Sequence, residues 1–93
     1  MIVNFADKRT RLLFDGDSIK GFPADLIEVA WRKLDMLNNA RTLEDLRMPP
    51  ANRLEMLKGR LHGFYSIRIN DKWRVVFRWR NGNAEAVRIV DYH

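Results

Sequence analysis

Residues 64–82 read FYSIRINDKWRVVFRWRNG, and this stretch alternates between apolar and polar side chains. Every second position in residues 64–70 and 73–80 is apolar or aromatic, namely Tyr65, Ile67, Ile69, Trp73, Val75, Phe77 and Trp79. A period of two predicts two β-strands, each with one face in the core. The tripeptide Asn70-Asp71-Lys72 makes a tight connection between them, and Asn81-Gly82 is a strong hairpin signal after the second. The stretch therefore predicts the centre of an antiparallel sheet.

The rest of the chain predicts helices before these strands and further strands beside them. Leu26, Ala30, Leu34 and Leu37 form one apolar stripe, which predicts an amphipathic helix over residues 24–39. A shorter helix is predicted over residues 6–14. Because residues 43–53 contain Met48-Pro49-Pro50, they are predicted to be a connecting loop. The remaining predicted strands cover residues 1–5, 54–58 and 84–92. We expect one α+β domain over residues 1–93, with two or three N-terminal helices packed on one sheet face.

Composition excludes several classes of protein. The chain has 93 residues, no cysteine and two histidines, so neither a disulfide framework nor a structural zinc site is expected. No apolar run approaches the ~20 residues that span a membrane, and the N-terminal stretch turns charged where a signal peptide is apolar. These features predict a cytoplasmic protein with no membrane contact, no metal and no cofactor.

Positive charge is concentrated in the second half of the chain. The net charge is +5, and 12 of the 17 cationic side chains are arginine. Residues 1–45 have seven Lys/Arg and eight Asp/Glu, whereas residues 46–93 have ten and four. Because a planar guanidinium suits phosphate and stacked bases, this distribution predicts one face that binds a polyanion such as nucleic acid.

Alternation places Arg68, Arg74 and Arg78 together on the polar face of the sheet. A solvated sheet face commonly carries such residues, so a purely structural interpretation stays open. Clustered arginines repel one another unless an anion joins them, and the nearby carboxylates are few: Glu55, Glu85 and Asp91. We therefore favour a phosphate-binding face.

The last three residues, Asp91-Tyr92-His93, combine a carboxylate, a phenol and an imidazole at the end of a predicted strand. Neighbouring strands carry Lys58 and Arg88. Groups that move a proton, set beside groups that bind phosphate, are what metal-free RNA cleavage requires. The alternative interpretation is a frayed chain end without function.

The runs LEMLKG (residues 54–59) and YSIRINDKWRVVF (65–77), with the closing DYH (91–93), resemble the HigB, or plasmid-maintenance killer, branch of the RelE/ParE toxin superfamily. The resemblance implies a twisted antiparallel sheet with helices on one side. It also implies a toxin that binds the ribosome and cuts mRNA in the A site as an endoribonuclease. Its partner would be a HigA-like antitoxin with a helix-turn-helix domain, through which the complex contacts operator DNA.

The same resemblance implies roles for individual residues. Catalytic or RNA-contacting groups fall on Lys58, Arg74, Asp91, Tyr92 and His93. Some members of the branch have a catalytic histidine where this chain has Glu55, so Glu55 is a candidate base. Further RNA-binding candidates are Arg68, Arg78 and Arg88.

Two other functions compete with the nuclease. ParE-like members of the superfamily share the fold but poison DNA gyrase, and a ribosome-binding or RNA-binding module without turnover is the third possibility. The Asp91-Tyr92-His93 end and the cluster of cations argue against gyrase poisoning. Replacing His93 or Tyr92 separates the nuclease from the binder, because only the nuclease would lose an activity while retaining ribosome binding.

Overall fold

The computed structural model describes residues 1–91 of the chain. Three helices come first in the sequence, α1 (Lys8–Phe14), α2 (Ile27–Asn39) and α3 (Leu43–Arg47). Four strands follow, β1 (Glu55–Met56), β2 (Phe64–Arg68), β3 (Trp73–Arg80) and β4 (Asn83–Asp91). Short 3₁₀ turns lie at Ala24–Leu26, Pro50–Asn52 and Gly59–Leu61. None of the helices in residues 1–91 has the length and apolarity needed to cross a bilayer.

The strands form one antiparallel sheet in the order β1-β2-β3-β4. The predicted alternation holds, because Ile67 lies opposite Val75 and Val75 lies opposite Ile89, and all three side chains are buried. Asn81 and Gly82 both have positive φ angles, 53° and 76°, which a two-residue type I′ hairpin turn requires. The predicted α+β fold is therefore confirmed, including the connection that joins β3 to β4.

The helices cover one face of the sheet, and their apolar stripes form the core with it. Ala30, Leu34 and Leu37 of α2 are fully buried, as the stripe predicts. Leu13 of α1 and Leu46 of α3 join the same cluster. Trp73, Phe77 and Trp79 lie in or against this core rather than on an RNA-binding surface, which confirms their prediction as core residues.

The N-terminal segment protects the outer edge of β4. The strand predicted for residues 1–5 is reduced to two isolated parallel bridges, from Ile2 to Ala84 and from Phe5 to Val87. Beyond them, the Thr10 hydroxyl of α1 accepts a hydrogen bond from the Ile89 amide at 3.0 Å. Because an unpaired edge strand invites aggregation, these contacts close a surface that the sheet would otherwise leave open.

Residues 43–53 are not the connecting loop that the prolines predicted. Thr42 and Asp45 form a reciprocal capping box, with the Thr42 side chain bonded to the Asp45 amide and the Asp45 side chain bonded to the Thr42 amide. This box satisfies amides that a short helix otherwise leaves unbonded, so α3 forms before Pro49 is reached. The Pro50–Asn52 turn then leads into β1.

Candidate functional site

The strand register brings the predicted cationic residues onto the sheet face opposite the helices. Arg68 of β2 lies directly opposite Arg74 of β3, while Arg78 lies opposite Phe64. Arg88 of β4 lies opposite Val76, which is also on this face. We call the surface formed by Arg68, Arg74, Arg78 and Arg88 the arginine face. The prediction that Arg68, Arg74 and Arg78 share a face is confirmed, and Arg88 joins them.

The centre of the arginine face is enclosed, whereas its rim is open. Ser66, Val76 and Arg74 are 0%, 2% and 8% exposed, so solvent reaches little of the centre. Arg78 and Arg88 are exposed at the rim. Burying a charge is unfavourable unless polar groups surround it, and the backbone carbonyl of Arg53 is one such group for Arg74. Arg74 is therefore the least exposed of the four arginines on this face.

Arg68 and Arg74 are held by different partners. The Nη2 group of Arg74 donates to the backbone carbonyl of Arg53 at 2.6 Å. The guanidinium of Arg68 pairs with the carboxylate of Asp71 in the connection after β2. Hydrogen bonds to ionised groups are stronger than neutral ones, so each anchor restrains a long and flexible side chain. The two cations are therefore held by separate groups, a backbone carbonyl for Arg74 and a side-chain carboxylate for Arg68.

Glu55 and Lys58 lie at the β1 end of the site. Glu55 is the first residue of β1 and lies opposite Ser66, which places it on the arginine face. Its side chain is exposed, as is that of Lys58, which precedes the Gly59–Leu61 turn. A carboxylate on the same sheet face as several arginines can accept a proton or orient a cation. The side chain of His62 is also exposed.

Asp91 does not lie with the arginines that the sequence grouped around it. It is opposite Trp73, whereas Arg74 is opposite Val90, so Asp91 and Arg74 belong to opposite faces of the sheet. The Asp91 carboxylate lies 3.5 Å from the Nζ of Lys72. The predicted site residues Tyr92 and His93 lie outside the described residues.

Two residues of this region carried no signal in the sequence. Asn52 is fully buried, and its Oδ1 accepts a hydrogen bond from Lys33 Nζ of α2 at 2.6 Å. Its Nδ2 donates to the Leu46 carbonyl at 2.9 Å. Partial burial, followed by the positive charge of Arg68, lowers the pKa of Lys33. An isolated asparagine after two prolines is typical of a turn, so only the packed chain reveals these contacts.

A separate cleft of about 630 Å³ lies beside the N-terminal segment. It is lined by residues 2–8 together with Arg11, Phe14 and Asp15, and none of the predicted site residues contributes to it. Within residues 1–91, no three His, Asp or Glu side chains are grouped so that they could hold a metal ion.

Comparison with known proteins gives the family. Residues 3–93 match the HigB-like toxin family, described as the RelE-like toxin of the type II toxin-antitoxin system HigB. The chain is 38% identical over 85 residues to Toxin HigB-1 of Vibrio cholerae serotype O1, across 90% of each protein. It is 31% identical over 93 residues to Endoribonuclease HigB of Proteus vulgaris, across 100% of both. An uncharacterized protein of Haemophilus influenzae is 41% identical over 69 residues, across 74% of this chain and 68% of that protein.

The chain therefore belongs to the HigB-like family of RelE-like toxins. Its fold agrees with that class, since three helices pack on a four-stranded antiparallel sheet. A toxin of a type II system has an antitoxin partner, so a protein that neutralises this chain is part of its biology.

Proposed function

We propose that this toxin is a ribosome-dependent endoribonuclease that cuts mRNA in the ribosomal A site and so inhibits translation. The observation that carries the proposal is the arginine face, where Arg68 and Arg74 lie directly opposite each other and Glu55 lies on the same face, opposite Ser66. Full-length similarity to a protein named Endoribonuclease HigB supports the same activity. Residues 1–93 would act as one toxin domain in the cytoplasm.

The proposed reaction is attack of a ribose 2′-hydroxyl on the adjacent phosphodiester. The new bond joins O2′ to phosphorus and the bond from phosphorus to O5′ breaks. The products are a 2′,3′-cyclic phosphate and a 5′-hydroxyl. One group must take the proton from O2′ and another must give a proton to O5′, and no metal is needed for either transfer.

In this proposal the site residues divide into proton-transfer groups and phosphate-binding groups. His93 shuttles protons, since an imidazole ordinarily titrates at about pH 6.5. Glu55 is the alternative base, and its exposed position on the arginine face is compatible with that role. Asp91 orients a neighbouring cation or the imidazole, and Tyr92 stacks on a base or positions the phosphate.

The phosphate-binding groups in the proposal are cations. Lys58, Arg68 and Arg74 would stabilise the charge that develops on the phosphorane, at about 3–4 kcal/mol per pre-oriented donor. Arg78 and Arg88 would bind flanking phosphates at the exposed rim. The burial of Arg74 favours this role for it, because an electrostatic contact gains strength where water is excluded.

We propose further that the antitoxin is HigA-like, with a helix-turn-helix domain, and that the toxin contacts operator DNA only indirectly through it. The partners in action would be the ribosome and its mRNA. A ParE-like gyrase poison and a ribosome-binding or RNA-binding module without turnover are the competing functions. The cationic cluster on one sheet face favours an RNA contact over gyrase poisoning.

Translation of a defined mRNA on purified ribosomes tests the proposal. We expect discrete 5′ ends at A-site codons, mapped by primer extension, only when ribosomes and the toxin are both present. The downstream fragments should accept a phosphate from polynucleotide kinase without prior phosphatase treatment, because their 5′ ends carry hydroxyls. His93→Ala should abolish the cuts while the protein still sediments with ribosomes. Intact mRNA under translating conditions would exclude the nuclease and make a gyrase assay the next experiment.

A further inference from the structure

Asn52 is a polar side chain with no exposed surface, and both sides of its amide are bonded. The Oδ1 atom accepts from Lys33 Nζ of α2 at 2.6 Å, and the Nδ2 group donates to the Leu46 carbonyl of α3 at 2.9 Å. A buried amide without partners would destabilise the fold, so these contacts explain why an asparagine is tolerated here. Asn52 therefore ties the Pro50–Asn52 turn to two helices at once.

The next residue, Arg53, presents its backbone to Arg74. Arg53 has a left-handed conformation, with φ 45° and ψ 54°, which a non-glycine residue adopts only when its surroundings hold it there. Its carbonyl accepts a hydrogen bond from Arg74 Nη2 at 2.6 Å. Arg53 follows Asn52 directly in the chain, so the contacts that hold Asn52 also limit where the Arg53 carbonyl, and with it the Arg74 guanidinium, can lie.

We propose that Asn52 is a positioning residue for the ribonuclease site: it fixes the Arg53 carbonyl, and that carbonyl orients the Arg74 guanidinium toward the scissile phosphate. This inference rests on the proposed function. An arginine side chain has many rotamers, and a guanidinium that must reorient during the reaction stabilises the transition state less than a fixed one. Asn52 touches no substrate in this scheme and acts through Arg74.

Lys33 extends the same chain of contacts into α2. Its ammonium bonds to Asn52 Oδ1 through a charge-assisted hydrogen bond, which is stronger than one between neutral groups. Partial burial and the charge of Arg68 lower the pKa of Lys33, so this lysine lies within electrostatic reach of the arginine face. Leu34 and Leu37 anchor α2 in the core. Through Lys33, this helix holds the side chain of Asn52.

A double-mutant cycle on Asn52 and Arg74 tests the inference. Asn52→Ala, Arg74→Ala and the double variant are compared by the single-turnover rate constant of A-site cleavage and by the concentration of toxin that gives half of it. We expect Asn52→Ala to lower the rate constant about tenfold or more, with the half-saturating concentration changed by less than about twofold. In the Arg74→Ala background the same substitution should lower the rate constant by less than about twofold. Equal losses in both backgrounds would overturn the inference, because a purely structural residue acts regardless of Arg74.

Two further arms separate folding from positioning. Lys33→Met keeps the length of the side chain and removes one hydrogen bond to Asn52. Like Asn52→Ala, it should lower the rate constant of cleavage, while the protein still unfolds cooperatively. Lys20→Met, at an exposed loop position, is the matched control and should leave the rate constant unchanged. If Asn52→Ala fails to fold, the cycle is run with Lys33→Met in its place, and additivity with Arg74→Ala overturns the inference.

A readout independent of activity distinguishes this inference from the proposed function. The guanidinium Nε–Hε resonance of Arg74, assigned by its loss in Arg74→Ala, should be sharp in the wild-type protein and broadened or shifted in Asn52→Ala. If the wild-type protein cuts no RNA, the proposed function fails, and the resonance alone decides whether Asn52 orders Arg74. An Arg74 resonance that is identical in Asn52→Ala would contradict the positioning role.

Discussion

Arg68 and Arg74 occupy directly opposed positions on β2 and β3, and each guanidinium has an anchor of its own. Arg74 is bonded to the Arg53 carbonyl at 2.6 Å, while Arg68 pairs with the Asp71 carboxylate. Like charges directly across a strand pair destabilise a sheet, so these separate anchors offset a repulsion that the register creates. A phosphate placed between the two arginines would relieve it further. In the proposed function, such an anion would be the RNA phosphate.

Replacing Arg74 should disable cleavage more than binding. We expect Arg74→Ala to lower the single-turnover rate constant by about 100-fold or more, as is typical when one pre-oriented donor to a developing charge is removed. Arg74→Lys should recover little of it, because an ammonium lacks the planar fork with which a guanidinium can hold the Arg53 carbonyl through one nitrogen and face the phosphate with the others. Primer extension on translating ribosomes gives the rates.

Arg32→Ala is the matched control for Arg74, since Arg32 is an exposed arginine on α2 that pairs with Glu28. It should cleave at the wild-type rate. Full recovery of cleavage by Arg74→Lys would mean that only the charge of this side chain matters and that its anchoring does not.

Arg78 and Arg88, the exposed members of the arginine face, should set RNA affinity and its salt dependence. Each cation that contacts a phosphate releases counterions, so Arg78→Ala or Arg88→Ala should reduce the slope of log K against log salt by about 0.7 for single-stranded RNA. Fluorescence anisotropy with a labelled RNA, repeated across a salt series, measures the slope. Arg47→Ala on α3 serves as a comparison, and a slope that all three substitutions change equally would argue against a localised binding face.

Lys33 should titrate below the ordinary range for lysine. Its partial burial disfavours the charged form, and the nearby charge of Arg68 adds to the effect, so both lower its pKa. Arg68→Met should raise the pKa of Lys33 without restoring it fully, because burial is the larger cause. Nuclear magnetic resonance of ¹³C-methylated lysines follows the titration, with Arg80→Met as control. A pKa of Lys33 that Arg68→Met leaves unchanged would show that the two side chains do not interact.

Asp45 should make stability depend on pH in the acidic range. Backbone hydrogen bonds from Arg41 and then Thr42 lower the pKa of Asp45 in the folded protein. A carboxyl whose pKa is lower in the folded than in the unfolded protein stabilises the fold at pH values above its unfolded pKa, which is about 3.9. That contribution is lost as the pH falls through the folded pKa. The difference in free energy of unfolding between wild type and Asp45→Asn should therefore be present at about pH 7 and shrink toward about pH 3.

Thr42→Ala removes the other half of the capping box and should cost about 1 kcal/mol of stability, with little dependence on pH. Urea titrations of both variants at each pH give these energies. Asp17→Asn, which alters an exposed loop carboxylate, is the control. A pH-independent difference for Asp45→Asn would rule out its carboxylate as the source of the effect.

Much of the fold follows from local pattern. Alternation alone predicted residues 73–80 as a strand, and the structure has Trp73–Arg80. The helix predicted for residues 24–39 appears as a 3₁₀ turn at Ala24–Leu26 that continues into Ile27–Asn39. These elements were predictable because a strand repeats every two residues and a helix every 3.6, so each core-facing side chain leaves a periodic signal in the chain.

One irregularity in β4 breaks this periodicity, and the sequence pattern does not predict it. Ala84 and Val87 are both fully buried although three positions separate them, which strict alternation does not allow. The register shifts between Val76 and Arg78, and Ala86 takes a positive φ of 49° there, so β4 accommodates one extra residue. This bulge determines which side chains of β4 face the arginines, and only the paired strands reveal it.

By itself, the sequence determined the α+β fold, the core positions, the cationic sheet face and the resemblance to HigB toxins, because each is a local or periodic property of the chain. Only the tertiary structure decided how the candidate site is assembled. It separated Asp91 from Arg74 across the sheet, and it joined Lys33 to Asn52 and Arg53 to Arg74. These bonds link residues 19 and 21 positions apart, and a contact at such a separation depends on how the elements pack, so no repeat in the sequence predicts it.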